Sequence, residues 1–339
     1  MKRIVLRADG SAIKGLGHIM RSLSMIELLK DDFTCLFISN NADQKVKDLV
    51  VSFCPAVFID TADNKEELNL LQDHLMPDDI LVTDGYQFDE YYQIEIRKMV
   101  YKLLMIDDNA EFFFRADVII NHGGLFDIPS YRVAEYTKVF SGFSYLLARK
   151  EFISAASQKR QIEIVDTAFI CMGGADPYNI TTKALEACAH CTFIKNIIIV
   201  TGSFFSDKQR LQNLIEGIKD QKVYCYENVS AEEMVRFIQS SHLAFSTASS
   251  IAMEICCVKA GLITGMVADN QRSIHHQILD NGCGLSVGSW TDVSVETIIT
   301  LIKKMKNISL INEIMKNQAN SIDGKSGERI VQIFKELAA

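Results

Sequence analysis

Ile4–Arg7, Thr34–Ser39, Ile80–Asp84, Leu103–Ile106 and Val118–Asn121 are short apolar runs rich in β-branched residues, and amphipathic stretches such as Ile19–Lys30 and Glu90–Lys102 lie between them. Runs that are apolar on both faces read as strands of a parallel sheet buried on both sides. Helical spacing between them reads as crossover helices of βαβ units. The alternation breaks over residues 148–165, a polar and basic stretch that reads as a connector or a hinge-side helix. It then restarts: Thr167–Met172, Asn196–Thr201, Val223–Tyr226, Leu243–Ser246 and Leu262–Gly265 read as strands. Helices are expected near Asn179–Ala189, Asp207–Lys219, Ala231–Ser240 and Ser250–Lys259, and the tail after Val293 reads as helical to its end.

A chain of 339 residues is long for one core. The pattern therefore predicts two Rossmann-like α/β domains, residues 1–150 and 151–339, with parallel sheets facing across a cleft and the last helix able to pack back on the first domain. Such sheets place ligands at the carboxyl ends of their strands, where the strand order reverses. A net charge of −8 argues against nucleic acid as a partner, because that affinity rests on Lys and Arg neutralising phosphates. No apolar run approaches the roughly 20 residues of a spanning helix, so membrane insertion is not expected. Nine cysteines without a secretory signal fit a reduced, cytoplasmic setting. Cys188 and Cys191 flank His190 at a helix end without a second ligand pair, and read as structural rather than as a metal site.

Four segments carry chemistry. In RADGSAIKGLGHIMRSL, residues 7–23, a strand gives way to a glycine loop and then a helix. Glycines let the backbone approach a ligand, and the helix start offers unpaired amides. His18 stands at that start, as a general base or a donor to phosphate; a capping or loop histidine is the competing account. The dinucleotide fingerprint GxGxxG is absent, which disfavours a dehydrogenase. In CMGGADPYNIT, residues 171–181, Gly173 and Gly174 form a second strand-to-helix turn suited to a diphosphate, unless Asp176 merely caps the helix. In STASS, residues 246–250, hydroxyls and amides suit phosphate, and Glu254 one turn later suits ribose hydroxyls; a capping box between Ser250 and Glu254 competes. ADNQ, residues 268–271, then ends a strand with polar side chains. In VTDGYQF, Asp84 and Tyr86 end another strand, and Asp107 and Asp108 end the next; loop capping competes there.

RADGS-x3-GLGHIMR, DGY, IDD near residue 107, FSGFSYLLARKEF, GGADP and ADNQ occur in this order, and the ensemble resembles the UDP-sugar hydrolases of the pseudaminic acid pathway. The resemblance runs from residue 3 to about residue 285, with the GxGHxxR stretch its most diagnostic part. It implies a GT-B-like fold of two Rossmann-like domains, similar to the peptidoglycan N-acetylglucosaminyltransferase, with the nucleotide held mainly by the second. His18 would take the role of the family's catalytic histidine, activating a water that attacks the anomeric carbon with inversion and releases UDP. Tyr86 and Asn270 match positions near the sugar. Gly174, Ser249, Ser250 and Glu254 match nucleotide-holding loops. The remaining candidates for substrate or nucleotide binding are Arg7, Asp9, Gly15, Gly17, Arg21, Asp84, Gly173, Asp176 and Gln271. The substrate implied is a UDP-activated 2,4-diacetamido-2,4,6-trideoxy sugar, with UDP as product and neither cofactor nor metal. A diphosphate is already stable as a leaving anion, so one base and well-placed dipoles suffice. An inverting glycosyltransferase on the same fold, or a nucleotide-sugar binding protein without catalysis, are the alternatives.

Overall fold

The computed structural model describes residues 2–10, 16–124, 131–202 and 204–339. The chain forms two compact units: unit 1 comprises Met1–Lys150 with Lys325–Ala339, and unit 2 comprises Glu151–Gly324. Both are α/β.

Unit 1 runs β1 (Arg3–Ala8), α1 (Gly17–Leu29), β2 (Thr34–Asn40), α2 (Gln44–Val51), β3 (Ala56–Ile59), α3 (Asn64–Leu71), β4 (Ile80–Asp84), α4 (Glu90–Ile96), β5 (Lys102–Ile106), β6 (Phe113–Phe114), β7 (Val118–Asn121), β8 (Arg132–Val133) and β9 (Lys138–Ser141). The main sheet has the order β3-β2-β1-β4-β5-β7-β9, with every pairing parallel, and β6 and β8 form a separate small pair. Successive strand residues serve opposite faces. Ile4, Leu6, Ile80, Val82, Leu104 and Ile106 join one core with α1, while Val5, Leu81, Leu103 and Met105 join the other with Phe88 and Tyr92.

Unit 2 runs α5 (Lys150–Ala156, beginning at the boundary), β10 (Thr167–Ile170), α6 (Ile180–Ala189), β11 (Asn196–Thr201), α7 (Lys208–Gly217), β12 (Lys222–Glu227), α8 (Ala231–Gln239), β13 (Leu243–Thr247), α9 (Ser250–Val258), β14 (Gly261–Met266), α10 (Arg272–Asp280), β15 (Leu285–Ser289), α11 (Val295–Lys304) and α12 (Ile308–Ser321). Its sheet order is β12-β11-β10-β13-β14-β15, again parallel throughout. The final helix, α13 (Ser326–Ala338), belongs to unit 1 and puts Ile330, Ile333 and Phe334 into the core beneath α1. Among the described residues no helix is long and apolar enough to cross a membrane.

The strands that the sequence pattern reveals are the central ones and the edge strand β12. It does not reveal β3, β9 and β15, which lie at sheet edges and are only partly buried; β9 and β15 carry no continuous apolar run, and β3 is a run of four residues. The helix expected over Glu90–Lys102 stops at Ile96, because Lys102 is needed to start β5. In each unit the order reverses beside the first strand, opening one crevice between β1 and β4 and another between β10 and β13.

Gly202, after β11, lies against the turn that follows β10. A Cβ there would overlap the Cα and the carbonyl oxygen of Gly174. Because the obstacle is backbone, Gly202→Ala is expected to destabilise unit 2 by about 1–3 kcal/mol, lowering the thermal midpoint by several degrees. An unchanged midpoint would show that the two turns separate freely.

Candidate functional site

The crevice of unit 1 is built on Asp84, the last residue of β4, which pairs in register with Ala8 of β1. Its side chain is 1% exposed, and both oxygens are engaged. Arg21 donates from Nε to Oδ2 at 2.6 Å and from Nη2 to Oδ1 at 2.6 Å. Nδ1 of His18 lies 2.6 Å from Oδ1. His18 and Arg21 share one face of α1 by their three-residue spacing. Arg21 also donates from Nη1 to Oδ2 of Asp108 at 2.7 Å and lies 3.2 Å from Nε2 of His122.

Burial alone would raise the Asp84 and Asp108 carboxyls, but the Arg21 guanidinium outweighs it and holds both below the usual carboxylate range. Asp84 is therefore ionised and accepts only, so Nδ1 of His18 carries the proton. The 3.2 Å approach of Arg21 Nη2 to that nitrogen is then proximity rather than a hydrogen bond. Among the described residues nothing bonds Nε2 of His18, and the side chain is 21% exposed. Tyr86 meets the imidazole edge-on, with ring centroids 5.0 Å apart. A carboxylate that orients one imidazole nitrogen while the other faces outward is the arrangement of a general base.

Arg7 is fully buried. It donates from Nε to Glu67 Oε1 at 3.0 Å, from Nη2 to Glu67 Oε2 at 2.8 Å, and from Nη1 and Nη2 to Asp9. Asp9 also accepts from the Asn40 amide at 2.8 Å and from Gln87 Nε2 at 2.9 Å. Read from the sequence as binding residues, Arg7 and Asp9 spend these groups on each other and on the frame that holds the end of β1. Glu67 carries half of that frame, and sequence reasoning missed it: it sits in a charged segment that reads as a solvated helix face. The acid pair at 107–108 divides. Asp107 accepts from the amides of Asn109 and Ala110 and from the Tyr131 hydroxyl, which is loop capping, while Asp108 turns to Arg21. Among the described residues, a Cβ added at Gly17 would meet nothing within 4 Å. Gly15 lies outside the described residues.

The crevice of unit 2 is lined differently. Gly173 adopts φ +92, which favours glycine, and among the described residues a Cβ added at Gly174 would meet nothing within 4 Å. Asp176 takes the capping alternative: its carboxylate accepts from the Ile180 and Thr181 amides, each at 2.8 Å. The start of α6 is thus capped by the protein's own carboxylate. The start of α9 is not. Ser249 makes no side-chain cap bond and no acid lies in the first turn, so the capping box between Ser250 and Glu254 does not form. Among the described residues no acceptor takes the amides of Ser250 and Ile251. The Thr247 and Ser249 hydroxyls stand 3.0 Å apart beside them. Glu254 is buried one turn further on. Asn270 is exposed in a short 3-10 turn after β14, and Gln271 closes that turn by accepting from the Val267 amide at 2.9 Å. His275 is buried, with Nε2 2.5 Å from the Ser286 hydroxyl. Cys188 and Cys191 are buried free thiols, and among the described residues no cluster of three or more His, Cys, Asp or Glu could hold a metal ion.

No protein-family model matches the chain. It is 25% identical over 276 residues to the UDP-2,4-diacetamido-2,4,6-trideoxy-beta-L-altropyranose hydrolase of Campylobacter jejuni, covering 80% of this chain and 94% of that protein. It is 23% identical over 337 residues to the spore coat polysaccharide biosynthesis protein SpsG of Bacillus subtilis, covering 97% of each. A match to an uncharacterized protein of Methanocaldococcus jannaschii, 26% identical over 72% of this chain, spans about half (51%) of that protein's length. Among solved structures, Acinetobacter baumannii MurG superposes with a TM-score of 0.69 at 12% identity, covering 99% of this chain and 100% of MurG. UGT2 of Phytolacca americana, solved with UDP-2-fluoro-glucose and pterostilbene, gives 0.67 at 11% identity over the whole of both chains. The fold is GT-B-like, with two Rossmann-like domains.

His122 offers a test of the buried network. Burial, with Arg21 beside it, pulls its pKa from 6.5 down to about 4. Between those values the unfolded chain binds more protons than the folded one, so stability falls as pH drops from about 6.5 towards 4. At about 1.36 kcal/mol per unit the loss is roughly 3 kcal/mol. Urea unfolding at pH 7.5 and 4.5 is expected to show it in wild type, and His122→Gln, neutral throughout, should flatten the dependence. Equal slopes would place the acid-sensitive group elsewhere.

Proposed function

We propose that the protein is a sugar-nucleotide enzyme of polysaccharide biosynthesis that hydrolyses a UDP-activated sugar, with His18 as general base. The observation that carries this reading is the state of His18: Nδ1 is bonded to an ionised Asp84, and Nε2 is open. In the reaction, Nε2 takes a proton from water as the water oxygen bonds to the anomeric carbon. The bond from that carbon to the phosphate oxygen breaks, and UDP leaves with the electron pair. Nδ1 keeps its proton and donates it in the hydrogen bond to Asp84, whose charge stabilises the imidazolium as it forms. Attack opposite the leaving group inverts the anomeric carbon.

The two crevices support a division of labour. Around Arg21, one guanidinium faces two carboxylates, Asp84 and Asp108, so the base of unit 1 sits in net acidic surroundings that repel a diphosphate. The open amides at the start of α9, with the hydroxyls of Thr247, Ser249 and Ser250, are suited to the diphosphate, and Glu254 to the ribose. Tyr86 and Asn270 are assigned to the sugar. The similarity to the C. jejuni hydrolase supports water as acceptor and a 2,4-diacetamido-2,4,6-trideoxy donor. A second reading has its own support: MurG and UGT2 share the fold, and UGT2 was solved with a UDP-sugar and a second organic molecule. On that reading an acceptor alcohol takes the place of water at the same base.

UDP release from a panel of UDP-sugars, with and without acceptors, separates the two. Hydrolysis predicts UDP and free sugar without acceptor. UDP that appears only with an added alcohol or glycan makes the protein a transferase. His18→Asn is expected to abolish turnover while UDP still binds. Asp84→Asn should lower kcat by roughly 10²–10⁴-fold, since an amide mis-sets the tautomer; wild-type turnover in either variant would remove the base assignment. Ser250→Asp is expected to weaken UDP binding at least tenfold by placing an anion at the start of α9.

A further inference from the structure

A cavity of about 570 Å³ lies wholly within unit 2, between the segment that follows α5, the end of α9 and one face of α12. It occupies the wrong end of the sheet for the ligand site already described. Lys259 stands just before the first residue of β14, and Arg160 bonds carbonyls of Ile238, Gln239 and Ser241, just before β13. These are the amino ends of the strands, whereas α/β sheets put their principal ligands at the carboxyl ends.

Four cations line the cavity, Lys159, Arg160, Lys259 and Lys316, and no lining residue is acidic. Two of the four have a structural task. The Arg160 guanidinium donates only to main-chain carbonyls, and Lys259 Nζ donates to the carbonyls of Ala156 at 2.6 Å and Gln158 at 2.9 Å. Both therefore neutralise the carbonyl ends of α5, α8 and α9. Burial lowers both pKa values, Arg160 to about 10, and no carboxylate offsets it. Lys259 is also held at φ +67, a position at a helix end where glycine is the usual occupant. Helix capping accounts for these two residues and for nothing more. Lys159 and Lys316 are exposed, and among the described residues no acceptor takes either ammonium. Three helix ends carry about −0.5 each, so about −1.5 stands against four positive charges. The cavity keeps a surplus of about +2.5 in a protein whose net charge is −8.

We infer that this cavity is a second anion site that takes a small phosphate-bearing molecule, separate from the α9 loop. Lys159 and Lys316 supply mobile ammonium contacts at its mouth, and Arg160 and Lys259 supply a fixed positive floor. The volume falls within the range of small-molecule sites. The site stands independently of the reaction assigned to His18.

Calorimetric titration with inorganic pyrophosphate at low ionic strength tests it on three proteins: wild type, Lys159→Ser/Lys316→Ser, and Ser250→Asp. Both lysines are exposed, so their replacement leaves the core untouched. The expected result is binding to wild type that weakens as salt is added, loses one site in the double lysine variant, and survives in Ser250→Asp with at least one site. Absence of binding to wild type overturns the inference. So does binding that Ser250→Asp abolishes, or binding that the double lysine variant leaves unchanged, because either places the anion elsewhere.

Discussion

Arg21 and Asp84 are joined by two parallel hydrogen bonds in a place where neither charge reaches solvent freely. A buried carboxylate left alone would take a proton, and a protonated Asp84 would no longer accept from the imidazole. The guanidinium keeps it ionised, and an ionised Asp84 sets which nitrogen of His18 carries hydrogen. Through its remaining nitrogen Arg21 also holds Asp108 charged, and burial, with the field of Arg21, keeps His122 neutral. Loss of one partner would leave the others as buried, uncompensated charges, so the cluster behaves as a unit. The pair joins α1 to the end of β4, and it thereby ties the candidate base to the sheet that positions it.

The same topology appears twice and produces two kinds of surface. Each unit has a parallel sheet whose order reverses beside its first strand. In unit 1 the first turn of α1 carries a histidine held over carboxylates. In unit 2 the turn after β13 leaves two amides open, while the turn after β10 closes its own with Asp176. Acidic surroundings favour proton abstraction and disfavour phosphate; open helix amides do the reverse. Under the proposed reading, base and diphosphate are drawn to different surfaces by local electrostatics, without any need for a basic field over the whole protein.

Close packing of backbone supplies a further constraint. The turn carrying Gly174 has Gly202 directly against it, so the geometry of the turn after β10 depends on the loop after β11. Arg7 plays a comparable part in unit 1. It is a buried cation whose partners, Glu67 and Asp9, lie on different elements, and with Asn40 and Gln87 they fasten the ends of β1, β2 and β4 to one another. Motif residues such as Arg7 and Asp9 thus serve the site by fixing the backbone around it.

The central strands were legible in the sequence, because a strand buried on both faces must be apolar at every position and that leaves a continuous run. Of the edge strands, β12 was legible through Val223–Tyr226, while β3, β9 and β15 were not: half-exposed positions accept polar residues in β9 and β15, and β3 is only four residues long. His18, Asp84 and Ser249–Ser250 were legible as candidates, since strand-to-helix turns rich in glycine or hydroxyls are local features. Their chemical states were not. That Asp176 caps its own helix while the start of α9 stays open, that Asp108 turns to Arg21 while Asp107 closes a loop, and that Glu67 is a partner of Arg7 all depend on atoms brought together from distant parts of the chain. Local sequence determined the alternating elements and the turns between them, because periodicity and backbone preference act over a few residues. Only the tertiary structure decided which charges meet, because ionisation and tautomer are set by neighbours within a few ångströms in space, wherever they lie in the chain.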